Sequence, residues 1–122
     1  MSLSEKEIAG INFCHNVLRE IEEFRFSHES RYVGKSEEEI MTIIEDDVAY
    51  FEELDETVRN VLKEMPKHTF EAQTIRGMET FTMLDSEEVS SAFQSALIQV
   101  NFWLDGRRHR LEYKIRNFIK LC

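Results

Sequence analysis

The sequence contains few residues that interrupt helices. Its 122 residues include one proline, Pro66, and four glycines, and segments in which apolar and polar residues alternate are scarce. Because proline and glycine are the residues that most often break helices, their rarity favours long helices. A chain of this length has room for one hydrophobic core. We therefore expect an all-α fold, an up-and-down helical bundle of four to five helices that forms a single domain over residues 1–122.

The motifs of the common catalytic and metal centres are also missing. The sequence contains neither a Gly-x-Ser-x-Gly nucleophile motif nor a glycine-rich phosphate loop. It lacks the Glu-x-x-His pairs that hold di-iron centres in bundles. The two cysteines, Cys14 and Cys122, lie at opposite ends of the chain, without the spacing of zinc ligands. The sequence thus predicts no catalytic residue, no metal site and no cofactor.

Membrane and export signals are absent from the sequence as well. No apolar run approaches the roughly 20 residues that a membrane-spanning helix needs. The first residues are too polar for a secretory signal peptide. Two distant cysteines are typical of proteins in a reducing compartment. We expect a cytoplasmic protein that does not insert into membranes.

The charge of the chain is strongly negative. Fifteen Lys and Arg residues stand against 24 Asp and Glu residues, which gives a net charge of −9. Nucleic acids and anionic membranes carry charge of the same sign, so neither is expected as the main partner. The balance favours a protein partner with a basic surface.

Start and stop signals divide the chain into five predicted helices. Ser4 with Glu7, and Ser36 with Glu39, have the spacing of capping boxes. The helices are predicted near 5–26, 37–65, 69–84, 86–104 and 107–121. The third has the weakest helical propensity, because it contains four threonines and Gly77. Gly106 either separates the last two helices or bends a continuous one.

The predicted second helix carries a broad apolar stripe and an acidic outer face. The stripe covers about half of the circumference, which is typical of a helix that contacts two or more neighbours. The acidic face is either an ordinary solvated surface or a steering surface for a basic partner. It consists of Glu38, Glu45, Glu52, Glu53 and Glu56.

Asp47 lies within this apolar stripe, where a buried carboxylate would need a partner. His15 lies at the edge of the apolar arc of the first helix. If the first two helices form an antiparallel hairpin, His15 comes level with residue 48. We therefore predict a His15–Asp47 contact, either as a structural hydrogen bond or as a catalytic or ligand-binding pair.

The predicted fourth helix is apolar on two sides. Ile98 and Phe102 lie opposite the main stripe, above Ser91 and Ser95. Such a helix is either surrounded by its neighbours or exposes one side to a partner. We expect a homodimer, and these four residues are its interface candidates.

The last predicted helix is basic. Its basic face consists of Arg107, Arg108, Arg110, Lys114 and Arg116. These side chains either flank an apolar stripe that docks on the core, or contact nucleic acid or an acidic partner.

Taken together, these patterns favour a non-enzymatic, acidic protein–protein interaction module, such as an adaptor, regulator, inhibitor or chaperone-like protein. One alternative is a bundle that binds a metal or small ligand in its core through Asp47 and His15, with Tyr50 nearby, and acts on it. A further alternative is nucleic-acid binding through the basic C-terminal helix.

Overall fold

The fold consists of three long helices and one β-hairpin. The computed structural model describes residues 2–28 and 30–121, and their side chains up to residue 111. The hairpin lies between the second and third helices in the chain. In chain order the elements are α1 (Glu5–Ser27), a 3-10 turn (Ser30–Tyr32), α2 (Glu37–Lys63), β1 (Lys67–Thr74), β2 (Gly77–Leu84) and α3 (Glu87–Leu121).

Serine side chains cap the starts of all three helices. The Ser4 hydroxyl accepts a hydrogen bond from the Glu7 amide at 3.2 Å, and the Glu7 carboxylate accepts one from the Ser4 amide at 3.0 Å. This is a complete capping box, as the sequence indicates. Ser36 caps α2 by accepting from the Glu39 amide at 3.2 Å. At α3 the equivalent bond runs from the Val89 amide to the Ser86 hydroxyl at 3.3 Å, so Ser86 caps this helix.

Helix α3 packs against both other helices. An ion pair between Lys6 and Glu64 (3.5 Å) joins the start of α1 to the end of α2, so these two helices are antiparallel. Asn101 donates to the Asp55 carboxylate at 3.0 Å, which ties the middle of α3 to α2. The largest fully buried side chains come from all three helices and are Phe51, Phe93, Ile44, Val58, Val89, Val100 and Cys14. Burial of a large apolar side chain stabilises the folded state by about 1.5–3 kcal/mol relative to leaving the side chain exposed to water.

The expectation of a helix over 69–84 is wrong, because this segment forms the β-hairpin. Strands β1 and β2 are antiparallel, with Phe70 opposite Phe81 and Thr74 opposite Gly77. Gly77 has a φ of +104°, a conformation that suits glycine at a hairpin turn and has no place inside a helix. Threonine and phenylalanine also fit a pleated strand better than a helix.

Of the two alternatives at Gly106, the structure has the continuous helix, since α3 runs from Glu87 to Leu121. A glycine inside a helix costs only about 0.5–1 kcal/mol relative to alanine. Leu104 and Arg107 on either side of Gly106 are buried, and their packing holds the helix through this position. The four-to-five-helix all-α bundle is therefore incorrect, and the chain forms three helices with a two-stranded antiparallel sheet.

We expect Gly106→Ala to raise the free energy of unfolding by about 0.5–1 kcal/mol, because alanine reduces the conformational freedom of the unfolded chain and favours the helix. A Cβ at this position would meet no atom within 4 Å. Urea unfolding followed by circular dichroism measures the change.

The matched control is Gly10→Ala in α1. There a Cβ would lie 2.5 Å from the Met65 Sδ atom and 3.3 Å from the Phe93 ring, so Met65 must move. Gly10→Ala should therefore stabilise less than Gly106→Ala. Equal effects would contradict the packing described for α1.

Candidate interaction surfaces

A tight turn shapes the tip of the hairpin. Ile75 and Arg76 connect the strands, and Gly77 follows with its positive φ. The Thr74 hydroxyl accepts from the Arg76 amide at 3.1 Å and donates to the Gly77 carbonyl at 3.0 Å. These bonds fix the register of the two strands, which decides which side chains share a face.

The base of the hairpin is tied to the ends of the neighbouring helices. The Asp85 amide donates to the Pro66 carbonyl at 3.0 Å. The His68 Nδ1 atom lies 2.7 Å from the Asp85 carboxylate. Leu84 packs against the hydrophobic core of the helices.

The two faces of the hairpin differ in polarity. Side chains alternate between faces along a strand, and paired residues share a face. The face that carries Leu84 is mostly polar, with Lys67, Thr69, Glu71, Gln73, Met78, Thr80 and Thr82. The opposite face, which we call the aromatic face, carries His68, Phe70, Ala72, Thr74, Gly77, Glu79, Phe81 and Met83.

The large apolar side chains of the aromatic face do not pack in the chain's own core. Of the hairpin side chains, Leu84 at the end of β2 packs against the hydrophobic core of the helices, whereas Phe70, Phe81 and Met83 do not belong to it. Its three large apolar side chains stay accessible, with Phe70 44% exposed, Phe81 38% and Met83 53%. The Phe70 and Phe81 rings stack across the strands with their centroids 5.6 Å apart. A stacked aromatic pair on an exposed face is typical of a contact surface for another molecule.

Both edges of the sheet are also free. Within the described part of the chain the sheet has two strands, so each strand leaves one row of backbone groups without a strand partner. Natural proteins usually cover or block such edges, because they pair readily with other chains. The hairpin therefore presents apolar surface together with unpaired backbone.

The second apolar side of α3 is exposed rather than wrapped by neighbours. Ile98 is 65% exposed and Phe102 69% exposed, while Ser91 and Ser95 on the same stripe are exposed too. Ser91 and Ser95 line a shallow groove between α3 and α1. The four interface candidates from the sequence thus form one accessible stripe along α3.

All five glutamates of the predicted acidic face on α2 are exposed, namely Glu38, Glu45, Glu52, Glu53 and Glu56. Glu52 is ion-paired, since Arg108 of α3 approaches its carboxylate at 2.9 Å. Its charge is therefore partly balanced within the chain.

Asp47 is buried at the opposite end of the helices from the hairpin, and its partners are arginines. It is 4% exposed. The Arg31 Nη2 atom lies 2.8 Å from Oδ1, and the Arg107 Nε atom lies 3.6 Å from Oδ2. His15 is instead exposed and lies in the groove between α1 and α3. The structure therefore does not bring His15 to Asp47.

Sequence reasoning missed these arginines because it paired α1 with α2 alone. Arg31 lies in the turn between those helices, and Arg107 lies on α3, which a two-helix register cannot place. One feature of the sequence points to a buried arginine, because Arg107 continues the spacing of Val100 and Leu104 along the apolar stripe of α3. The sequence analysis instead places Arg107 on the basic face.

Aromatic rings enclose this ion pair. The Arg107 guanidinium lies 5.5 Å from the centroid of Phe24 and 5.2 Å from that of Trp103. The Arg31 guanidinium also lies 5.2 Å from the centroid of the Phe24 ring. Cation–π contacts of this kind stabilise guanidinium groups that have lost water. The arrangement joins α1, the turn, α2 and α3 at one end of the molecule.

The basic residues of the last predicted helix do not form one surface. Arg107 is buried against Asp47, Arg108 pairs with Glu52, and Arg110 lies 5.1 Å from the Tyr32 ring centroid. Lys114 and Arg116 lie outside the described side chains. The arginines with described contacts are thus engaged within the chain.

Two groups have raised pKa values. Burial raises the pKa of the Cys14 thiol to about 11. For Tyr50, burial is the main cause, with the hydrogen bond to Glu20 (2.9 Å) and the charges of Glu20 and Glu23 adding to it, and its pKa rises to about 12. Both groups stay protonated at neutral pH, and neither is activated as a nucleophile.

Comparisons of the chain with known protein families, with curated proteins and with solved structures give no match. Among the described residues, no three metal-binding side chains come together as a ligand set. No helix in the described part of the chain combines the length and apolar character that crossing a membrane requires.

Asp47→Ala should lower the free energy of unfolding by about 3–5 kcal/mol, because it leaves the buried Arg107 without its counter-charge. The neighbouring Asp46→Ala, at an exposed position, is the matched control and should change stability by less than about 0.5 kcal/mol. Urea unfolding measures both. Similar small losses in the two variants would show that the ion pair does not hold this end together.

We expect Cys14 to resist alkylation in the folded protein, because it is 0% exposed and its pKa is about 11. The test uses a Cys122→Ser variant, so that one thiol remains, and iodoacetamide at pH 8.5. Alkylation should be at least about a hundredfold slower in buffer than in urea, because ionising the thiol requires opening of the core. Comparable rates would contradict the buried position of Cys14.

Proposed function

We propose that this chain is a non-enzymatic protein–protein interaction module, and that the aromatic face of its hairpin is the contact element. The observation that carries the proposal is the exposure of this face. Phe70, Phe81 and Met83 share one face of the hairpin, are 44%, 38% and 53% exposed, and do not belong to the chain's own core.

This exposure contributes little to the stability of the isolated chain. An amphipathic hairpin gains stability when its apolar face packs on the core, yet here Leu84 at the end of β2 packs there and the aromatic pair stays accessible. A two-stranded hairpin with an uncovered apolar face is only marginally stable in water. Cover from another protein would bury the aromatic pair and stabilise the hairpin at the same time.

The charge of the molecule argues against nucleic acid or an anionic membrane as its partner. The chain carries a net charge of −9, and its α2 face is acidic and exposed. A partner with basic residues would be attracted to this α2 face, which lies on a different element from the aromatic face. A buried free thiol at Cys14 agrees with a reducing, cytoplasmic setting.

The hairpin variant Phe70→Ser/Phe81→Ser should weaken partner binding at least tenfold, because it removes the stacked aromatic pair. The matched control is Thr69→Ala/Thr82→Ala, which changes the neighbouring cross-strand pair on the polar face. Each variant, immobilised, is incubated with an extract of the source cells. Retained proteins are identified by mass spectrometry, and their Kd values are measured with purified components.

The proposal requires a partner that binds the wild type and the threonine variant alike and is lost by the phenylalanine variant. Circular dichroism confirms that each variant keeps its helices. A partner that binds all three forms equally would contradict the role of the aromatic face. Absence of both a foreign partner and self-association would contradict the function itself.

A further inference from the structure

We infer that the partner of the aromatic face is a second copy of this chain, with the two hairpins packed face to face and antiparallel, the tip of each beside the base of the other. This inference rests on the proposed function and names its partner.

The first argument is the charge of the hairpin. Residues 67–84 contain Lys67 and Arg76 against Glu71 and Glu79, so the hairpin has no net charge when His68 is neutral. The rest of the chain therefore carries all nine excess negative charges. Two copies of such an acidic molecule repel each other over most of their surfaces. The hairpin is a place where they can meet without bringing like charges together.

The second argument concerns the distance between the two helical bodies. A strand of eight residues is roughly 27 Å long. In the antiparallel arrangement the bodies lie at opposite ends of the paired hairpins. This separation is about three times the Debye length of roughly 8 Å at physiological salt. A parallel arrangement would place the two acidic bodies side by side, which explains the choice of orientation.

The third argument is the order of side chains along the aromatic face. Phe70 and Phe81 lie near the middle of their strands. A two-fold axis through this point stacks the aromatic pair of one copy on that of the other. The pairs on either side are His68 with Met83 towards the base, and Ala72 with Glu79 towards the tip. The axis then brings each of these two pairs against the other pair of the partner subunit.

The charges at the two ends of the hairpin are complementary as well. Arg76 lies at the tip, and Asp85, Glu87 and Glu88 lie at the base, where β2 leads into α3. Asp85 is already engaged with His68, whereas Glu87 is exposed at the start of the helix. Tip-to-base packing therefore places the cation of one copy at the acidic base of the other, twice in each dimer.

The size of the face sets the strength of the dimer. It measures roughly 27 Å by 10 Å, well below the roughly 800 Å² per partner of a standard stable interface. We therefore expect a weak dimer that dissociates readily on dilution.

Sedimentation equilibrium across a range of concentrations tests the interface. The wild type should show a monomer–dimer equilibrium, and Phe70→Ser/Phe81→Ser should raise the Kd at least tenfold. The control Ile98→Ser/Phe102→Ser removes an apolar pair from α3 that is more exposed than the hairpin pair, and it should leave the Kd within about twofold. Loss of the dimer in the α3 variant, with no change in the hairpin variant, would overturn the inference.

A charge exchange tests the orientation. Arg76→Glu and Glu87→Arg should each weaken the homodimer, because each brings like charges together. Mixing the two variants restores complementary pairs at both ends, so native mass spectrometry should show heterodimer well above the proportion that random pairing gives. Homodimers and heterodimers in statistical proportions would overturn the antiparallel arrangement.

The inference and the proposed function fail in different ways. A wild type that stays monomeric up to millimolar concentration overturns the second copy as partner. The proposed function still stands in that case if a foreign protein binds the wild type and is lost by Phe70→Ser/Phe81→Ser. If the hairpin variant loses neither a foreign partner nor the dimer, both fail.

Discussion

The packing of α3 against both α1 and α2 is the contact on which the rest of the structure depends. Val89, Phe93, Ala96, Val100 and Leu104 form one buried stripe along this helix, and each is at most 2% exposed. The other two helices pack on this stripe from either side, which fixes where their ends lie. The position of the hairpin and that of the buried ion pair both follow from it.

The two ends of α3 differ in what they hold. Further along the helix, Arg107 continues the buried stripe and pairs with Asp47 of α2, which also binds Arg31 of the turn. Phe24 of α1 contacts both arginines, so four segments of the chain meet here. At its N-terminal side, Leu84 anchors the hairpin while the aromatic face stays accessible. One end is thus closed by an internal contact, and the other presents apolar surface. We propose the hairpin as the contact element because Phe70, Phe81 and Met83 are exposed and do not pack in the chain's own core.

Much of the helical structure follows from local signals. The serine caps at Ser4 and Ser36 involve residues three apart and depend on no distant contact, so both appear where the sequence places them. The hairpin is missed because the threonines and Gly77 count against a helix over 69–84 without counting in favour of strands and a turn. The positive φ of Gly77 makes it part of the turn. A reading that gave weight to the alternation of Phe81 and Met83 with threonines would have found the strand.

By itself, the sequence determined the first two helices, the acidic character and the buried position of Asp47, since these depend on composition and on spacing along one helix. Only the tertiary structure decided the partners of Asp47, the continuity of α3 through Gly106 and the exposure of the aromatic face. The physical reason is that each of these depends on contacts between segments far apart in the chain. Arg31 and Arg107 reach Asp47 from two different elements, and Leu84, not the aromatic pair, packs against the core of the helices.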